Sequence, residues 1–334
     1  MLQDKVLFTL IIGTTDVSLI PGITIAGATP ELTMFTPAAD AEFLINGRCQ
    51  VINGVPITPD GIPSPAIISR ASLNLTGVPS LVVNGGTRIK PTGIPFIEVG
   101  GEPGKDIREG ALDKEVMIRM RENAERLGRQ LSRGFDTLII GESIPAGTTT
   151  ALSTLLALGY KAFGKVSSAS PNNPVEIKES VVKQALIDLP EDKIEKLSRV
   201  SDPMIITASA LAEGFENRVV LAGGTQMTAV AAVIKEFSPG KVKDLSIWTT
   251  RWIIEDKRSD IIGLASEVGV KVDVSQLDFS SSKIDGLKAY DKGYVKEGVG
   301  AGGLSLLAMK MGFTKEEVMR EVEKVYEEAR NEKI

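Results

Sequence analysis

The chain has 334 residues, 43% of them hydrophobic and 24% charged, with a net charge of −5 and a pI near 5.2. This is ordinary globular composition, long enough for one large α/β domain or a large domain with a smaller attachment. No long basic run occurs, so nucleic acid is not expected as a partner. The single cysteine, Cys49, rules out an intrachain disulfide and fits a reducing compartment. The chain contains no histidine, which excludes Ser-His-Asp and Cys-His catalysis and any histidine metal site. A general base must then be a carboxylate, a lysine, a tyrosine or the lone thiol.

Val6 to Ile12 reads as a first strand, far too short to span a bilayer and without a cationic leader, so a soluble, cytoplasmic protein is expected. Residues 13–66 are rich in Pro, Gly and Thr yet too apolar for disorder, and predict ordered loops with one helix near Ala38 to Leu44. A helix from Ser64 to Leu75 and a strand from Ser80 to Val83 follow. Over 111–133 the charges occupy one side and Val116, Met117, Met120, Ala124, Leu127 and Leu131 the other, which predicts a long amphipathic helix.

From there strands and helices alternate. Strand 137–140 precedes a helix from about Thr148, and helices are predicted over 176–188 and 191–200. Strand 218–224 precedes helix 225–237, and strand 245–250 precedes helix 259–269. Strand 270–279, a glycine-rich loop, a helix near 300–311 and a charged helix over 314–331 complete the order. Strands that are apolar throughout, alternating with helices, indicate a parallel sheet covered on both faces. Ligands of such sheets bind beyond the carboxyl ends of the strands, which directs attention to three loops.

The first is "GESIPAGTTT", residues 141–150, where a strand, a glycine-containing loop and a helix opening in hydroxyls make a usual cradle for phosphate. It is not a nucleoside-triphosphate loop of the Walker type, having five residues between its glycines and no lysine. Glu142 within it has no evident part in holding an anion. The second is "GGTQMTA", where Gly223 and Gly224 permit close backbone approach and Thr225 stands where a helix cap or phosphate donor would. The third, "YVKEGVGAGG", sets Glu297 among Gly298, Gly300, Gly302 and Gly303 just before an apolar helix. Each loop alone reads equally as a capped or tight helix start.

Together the three loops resemble the nicotinate-nucleotide:dimethylbenzimidazole phosphoribosyltransferase family. "GESIPAGTT" aligns without a gap with that family's G-E-M-G-I-G-N-T-T, "GGTQMTA" resembles its G-G-F-E-I-A, and "YVKEGVGA" has the shape of its R-L-G-E-G-[ST]-G-A. Order and approximate spacing agree over residues 137–311, and the first half of the chain matches less well. Ile144 and Ala146 replace two glycines, Gly147 replaces an asparagine, Lys296 replaces the glycine before the late glutamate, and Tyr294-Val295 replace Arg-Leu. The family's early D-H-G segment has no counterpart. The resemblance is therefore to a divergent branch, of the archaeal kind.

Pattern and resemblance together lead to a three-layer α/β/α fold with a mainly parallel, Rossmann-like sheet, its large core spanning about 76–311. Residues 1–75 and 312–334 are expected to form a smaller or peripheral part. The family reaction passes the anomeric carbon of nicotinate mononucleotide from the pyridine nitrogen to an imidazole nitrogen such as that of 5,6-dimethylbenzimidazole, with inversion. The resemblance implies Glu297 as the base that takes the acceptor's proton and Glu142 as a carboxylate beside the ribose. Gly141, Gly147, Thr148, Thr149, Gly223, Gly224, Thr225, Val295, Gly298 and Gly300 are then expected to contact substrate. Met34, Phe35 and Phe43 are candidates for an aromatic slot, and Asn84, Arg88 and Lys90 for an anion. No metal or cofactor is required, and a homodimer is implied. A hydrolase using the two glutamates on water, and a non-catalytic nucleotide binder on the same fold, stay open.

Overall fold

A computed structural model describes residues 4–331 apart from 28, 30 and 59. The strands are β1 (Val6–Gly13), β2 (Ser80–Gly86), β3 (Ile97–Glu98), β4 (Thr137–Ser143), β5 (Arg218–Ala222), β6 (Leu245–Thr250) and β7 (Lys271–Ser275). They form one all-parallel sheet in the order β3-β2-β1-β4-β5-β6-β7. The α/β sheet expected from the sequence is therefore present.

Its helices are α1 (Thr36–Asn46), α2 (Ala66–Thr76), α3 (Lys114–Leu131), α4 (Gly147–Ala157), α5 (Val175–Ala185), α6 (Lys193–Val200) and α7 (Pro203–Gly214). After these come α8 (Gln226–Phe237), α9 (Arg251–Ile254), α10 (Ile261–Val268), α11 (Asp285–Lys288), α12 (Ala301–Lys310) and α13 (Lys315–Asn331). Alternation along the strands divides the core. Leu7 and Ile11 of β1, Leu138 and Ile140 of β4, and Val219 and Leu221 of β5 face the layer that contains α3, α4, α7, α8 and α10. Phe8, Leu10, Ile139 and Val220 face the opposite layer of α1, α2, α12 and α13.

Two expectations are corrected here. The first strand is not peripheral: β1 lies between β2 and β4 at the heart of the sheet, while the rest of the chain ends, α1, α2 and α13, supply one covering layer. Six apolar residues among the seven from Val6 to Ile12 suit a strand buried on both faces, which is a central position. The sequence reading also contained no helix over 203–214. Helix α7 is buried on nearly every side, so "PMIITASALAEG" shows no polar face to reveal a period. It packs on α3 almost backbone to backbone: a Cβ on Gly214 would lie 2.0 Å from the Glu125 carbonyl oxygen, and one on Gly128 2.3 Å from that of Leu211.

Among the described residues no helix is long and apolar enough to cross a membrane. Cys49 is half-buried and donates to the Ala39 carbonyl, with burial as the main cause raising its thiol pKa.

Candidate active site

Strand order reverses around β1, which pairs with β2 on one side and β4 on the other, and a crevice opens beyond the carboxyl ends there. It widens into a cavity of about 1320 Å³ between the two helix layers. Glu142 reaches it because its side chain continues the parity of Leu138 and Ile140 beyond the apolar part of β4. Glu297 enters from the loop preceding α12.

The Glu142 side chain is almost wholly buried, and Glu297 is half-buried in the cavity wall. The Glu297 Oε1 accepts from the Gly302 N–H at 2.9 Å and the Gly298 N–H at 3.4 Å, and Oε2 accepts from the Thr250 N–H at 2.9 Å. It thus spans the N-termini of α9 and α12. Desolvation nevertheless dominates these bonds and raises its pKa to about 7. Glu142 lacks comparable donors among the described residues: the Gln226 amide nitrogen stands 3.5 Å from Oε1, and the Ile144 N–H contributes weakly. Burial first, and then repulsion from Glu297, Asp202 and Asp40, push its pKa up to about 8. At neutral pH the cavity therefore holds a carboxyl that retains its proton beside one poised to accept one.

The backbone around Glu297 is strained. Val295, Lys296 and Val299 have φ of 61°, 47° and 55°, each a left-handed conformation that costs a side-chain-bearing residue roughly 1–3 kcal/mol. Ala146, ahead of α4, has φ 62°. Ala146 and Lys296 stand where the resembling motifs carry glycine, so the chain keeps a glycine-type backbone after the glycines are gone. Ala146→Gly is accordingly expected to stabilise the protein by about 1 kcal/mol, less the entropy glycine adds to the unfolded chain, as read by urea denaturation.

Of the twelve residues singled out, Glu142, Gly147, Thr148, Val295, Glu297 and Gly298 line the cavity. The other six lie behind its wall. A Cβ on Gly141 would sit 2.7 Å from the Phe8 ring and 2.9 Å from the Gly300 nitrogen, and one on Gly300 2.6 Å from the same ring, so both glycines let the Glu297 loop close over β4. Thr149 is buried in the first turn of α4. Gly223 abuts Met227, and a Cβ on Gly224 would come within 3.7 Å of the Glu297 Cβ. The Thr225 hydroxyl accepts from the Ser167 N–H at 3.0 Å and pins the segment whose Ser167, Ser168 and Ala169 form another cavity wall. Phe35 lines the cavity, whereas Met34 and Phe43 are core residues. Asn84 closes a turn by accepting from the Gly86 and Thr87 N–H groups, and Arg88 and Lys90 pair with Asp16 and Glu98 away from the cavity.

Sequence reasoning missed Asp40, Ser143 and Gln226. Asp40, on α1, is buried at the cavity wall and accepts from the Ser64 hydroxyl at 2.6 Å and the Ser143 hydroxyl at 2.7 Å. Desolvation outweighs both bonds and raises its pKa to about 6. Gln226 fills the fourth place of "GGTQMTA", where the resembling motif has glutamate; comparison at that place was the available signal.

No protein-family model matches the chain. Among solved structures, the nicotinate-nucleotide-dimethylbenzimidazole phosphoribosyltransferase of Thermus thermophilus aligns with a TM-score of 0.63 at 15% identity, covering 96% of this chain and 83% of that one. A structure of CobT from Thermus thermophilus gives 0.64 at 16%, covering 97% and 84%. At such identity the fold is what is shared. Sequence relatives are nearer: the UPF0284 protein of Sulfurisphaera tokodaii is 60% identical over 325 residues, covering 97% of this chain and 94% of its own. That of Sulfolobus acidocaldarius is 58% identical over 325 residues, covering 97% and 95%. Identity of this degree over nearly the full length of both proteins places the chain in the UPF0284 family.

Proposed function

We propose that this chain transfers the phosphoribosyl group of nicotinate mononucleotide to an aromatic nitrogen base of the benzimidazole kind, giving an α-ribotide and nicotinate. The observation that carries the reading is the pair of desolvated carboxyls, Glu142 and Glu297, in one cavity at the point where strand order reverses. The shared fold with the phosphoribosyltransferase of Thermus thermophilus supports it.

In this mechanism the bond from the anomeric carbon to the pyridinium nitrogen breaks, and its electron pair returns to nicotinate. A neutral pyridine leaves, so no acid is needed. The unprotonated ring nitrogen of the acceptor attacks from the opposite face, and the proton on its other ring nitrogen passes to Glu297. Burial suits that group to the task, because a carboxylate with a pKa of about 7 is a far better proton acceptor than an exposed one. Glu142, protonated at neutral pH, donates a hydrogen bond to a ribose hydroxyl and turns its carbonyl oxygen toward the sugar as the latter becomes cationic. Ala146 and Thr148 at the start of α4 offer N–H groups for the phosphate, that of Gly147 being taken by the Ile144 carbonyl.

The test is a mass-resolved assay of purified protein with nicotinate mononucleotide, with and without dimethylbenzimidazole, benzimidazole and adenine. Nicotinate release coupled to a new base ribotide is expected; release without acceptor would mark a hydrolase, and binding without release a non-catalytic protein. Glu142→Gln mimics the protonated acid and should retain activity within about tenfold at pH 7, whereas Glu142→Ala should lose about a hundredfold or more.

A further inference from the structure

Lys296 combines two local costs. Its φ of 47° is one that glycine would adopt without strain, and its ammonium is buried, with the side chain 3% exposed. The ammonium lies 3.1 Å from the Asp256 Oδ2, itself 10% exposed, and donates to the Ser170 carbonyl at 3.3 Å. Its carbonyl accepts from the Thr250 hydroxyl at 2.6 Å, and the neighbouring Val295 N–H donates to the Ala169 carbonyl at 2.7 Å. The residue therefore ties three pieces together: the Glu297 loop, the end of β6 with the segment after α9, and the wall segment 166–173.

We propose that Lys296 is a positioning residue for Glu297: its ammonium clamps the strained loop to Asp256 and Ser170 and so holds the carboxylate on the Thr250 and Gly302 N–H groups. The catalytic arm of this inference rests on the transferase reading; the geometric arm does not. Two observations favour positioning over simple support of the fold. The anchor is attached at the residue preceding the carboxylate, and the left-handed backbone there persists only where its surroundings over-determine it. The polar contacts of Lys296 run to Asp256, Ser170 and Thr250, none of which belongs to the hydrophobic core.

The experiment compares Lys296→Met, Asp256→Leu and the double variant with wild type. Either single change strands a buried charge or carboxyl and can unfold the protein, but removing both partners together leaves no unpaired ion. The double variant should keep its melting temperature within a few degrees and its affinity for nicotinate mononucleotide, while kcat falls at least tenfold. Amide hydrogen exchange at Thr250 and Gly302 should quicken at least tenfold, with Ile139 and Val220 in the sheet unchanged. A folded double variant with wild-type exchange at Thr250 and Gly302 would overturn the proposal. Should wild type show no turnover, the transferase reading fails alone, and the exchange rates still decide the role of Lys296.

Discussion

Replacing Glu297 by glutamine should lower the rate of phosphoribosyl transfer by about a thousandfold, within the range that loss of a positioned general base produces. Glutamine retains one side-chain oxygen, so a bond from either the Thr250 or the Gly302 N–H survives, and the N-termini of α9 and α12 lose only part of their acceptor. What disappears is the ability to take a proton. The affinity for nicotinate mononucleotide, measured by calorimetry, should change less than about threefold, since uniform binding is untouched. A variant that still turned over at the wild-type rate would remove Glu297 from the chemistry and leave it as a helix cap.

The second large effect is on stability. Four carboxyls have pKa values raised to about 6 or above: about 6 for Asp40 and Asp202, about 7 for Glu297 and about 8 for Glu142. Desolvation is the leading cause for each. In the unfolded chain the same groups titrate near 4, so between about pH 4 and pH 8 the folded state binds more protons. Protonation therefore stabilises the fold, fully below the unfolded values, and this contribution is lost as pH rises through the folded ones. Unfolding free energy from urea titration should be several kcal/mol greater at pH 5 than at pH 8.5. Glu142→Gln should flatten the upper end of that slope, because the group most resistant to ionisation is gone. A stability that rose with pH across this window would contradict the buried, raised carboxyls.

Much of the fold was legible because its signals are local. Helix α3 announces itself through a charged and an apolar side, and β4 and β5 through short unbroken apolar runs. Glu142 and Glu297 were legible for a related reason: an acid at the end of an apolar strand, and an acid inside a run of glycines, break patterns that packing alone would favour. Asp40 left no such trace, because an acid beside Ala39 and Ala41 on a short helix looks like a solvated face, and only the long-range bonds to Ser64 and Ser143 bury it. Gly141 and Gly300 misled in the opposite direction. Their lack of a side chain serves the Phe8 ring, a contact across more than a hundred residues that no spacing reveals.

The central place of β1 has a consequence for how the chain comes together as it is made. Residues 6–13 are synthesised before the other six strands, yet one edge waits for residues 80–86 and the other for 137–143. Until both have emerged, an apolar strand carries open hydrogen-bonding edges, the condition under which strands pair with the wrong partner. With β2, β3 and β4 made, β5, β6 and β7 extend the β4 side in the order of their synthesis. The Glu142 strand is made long before the Glu297 loop, so the cavity cannot be complete until residues 297–302 have been added.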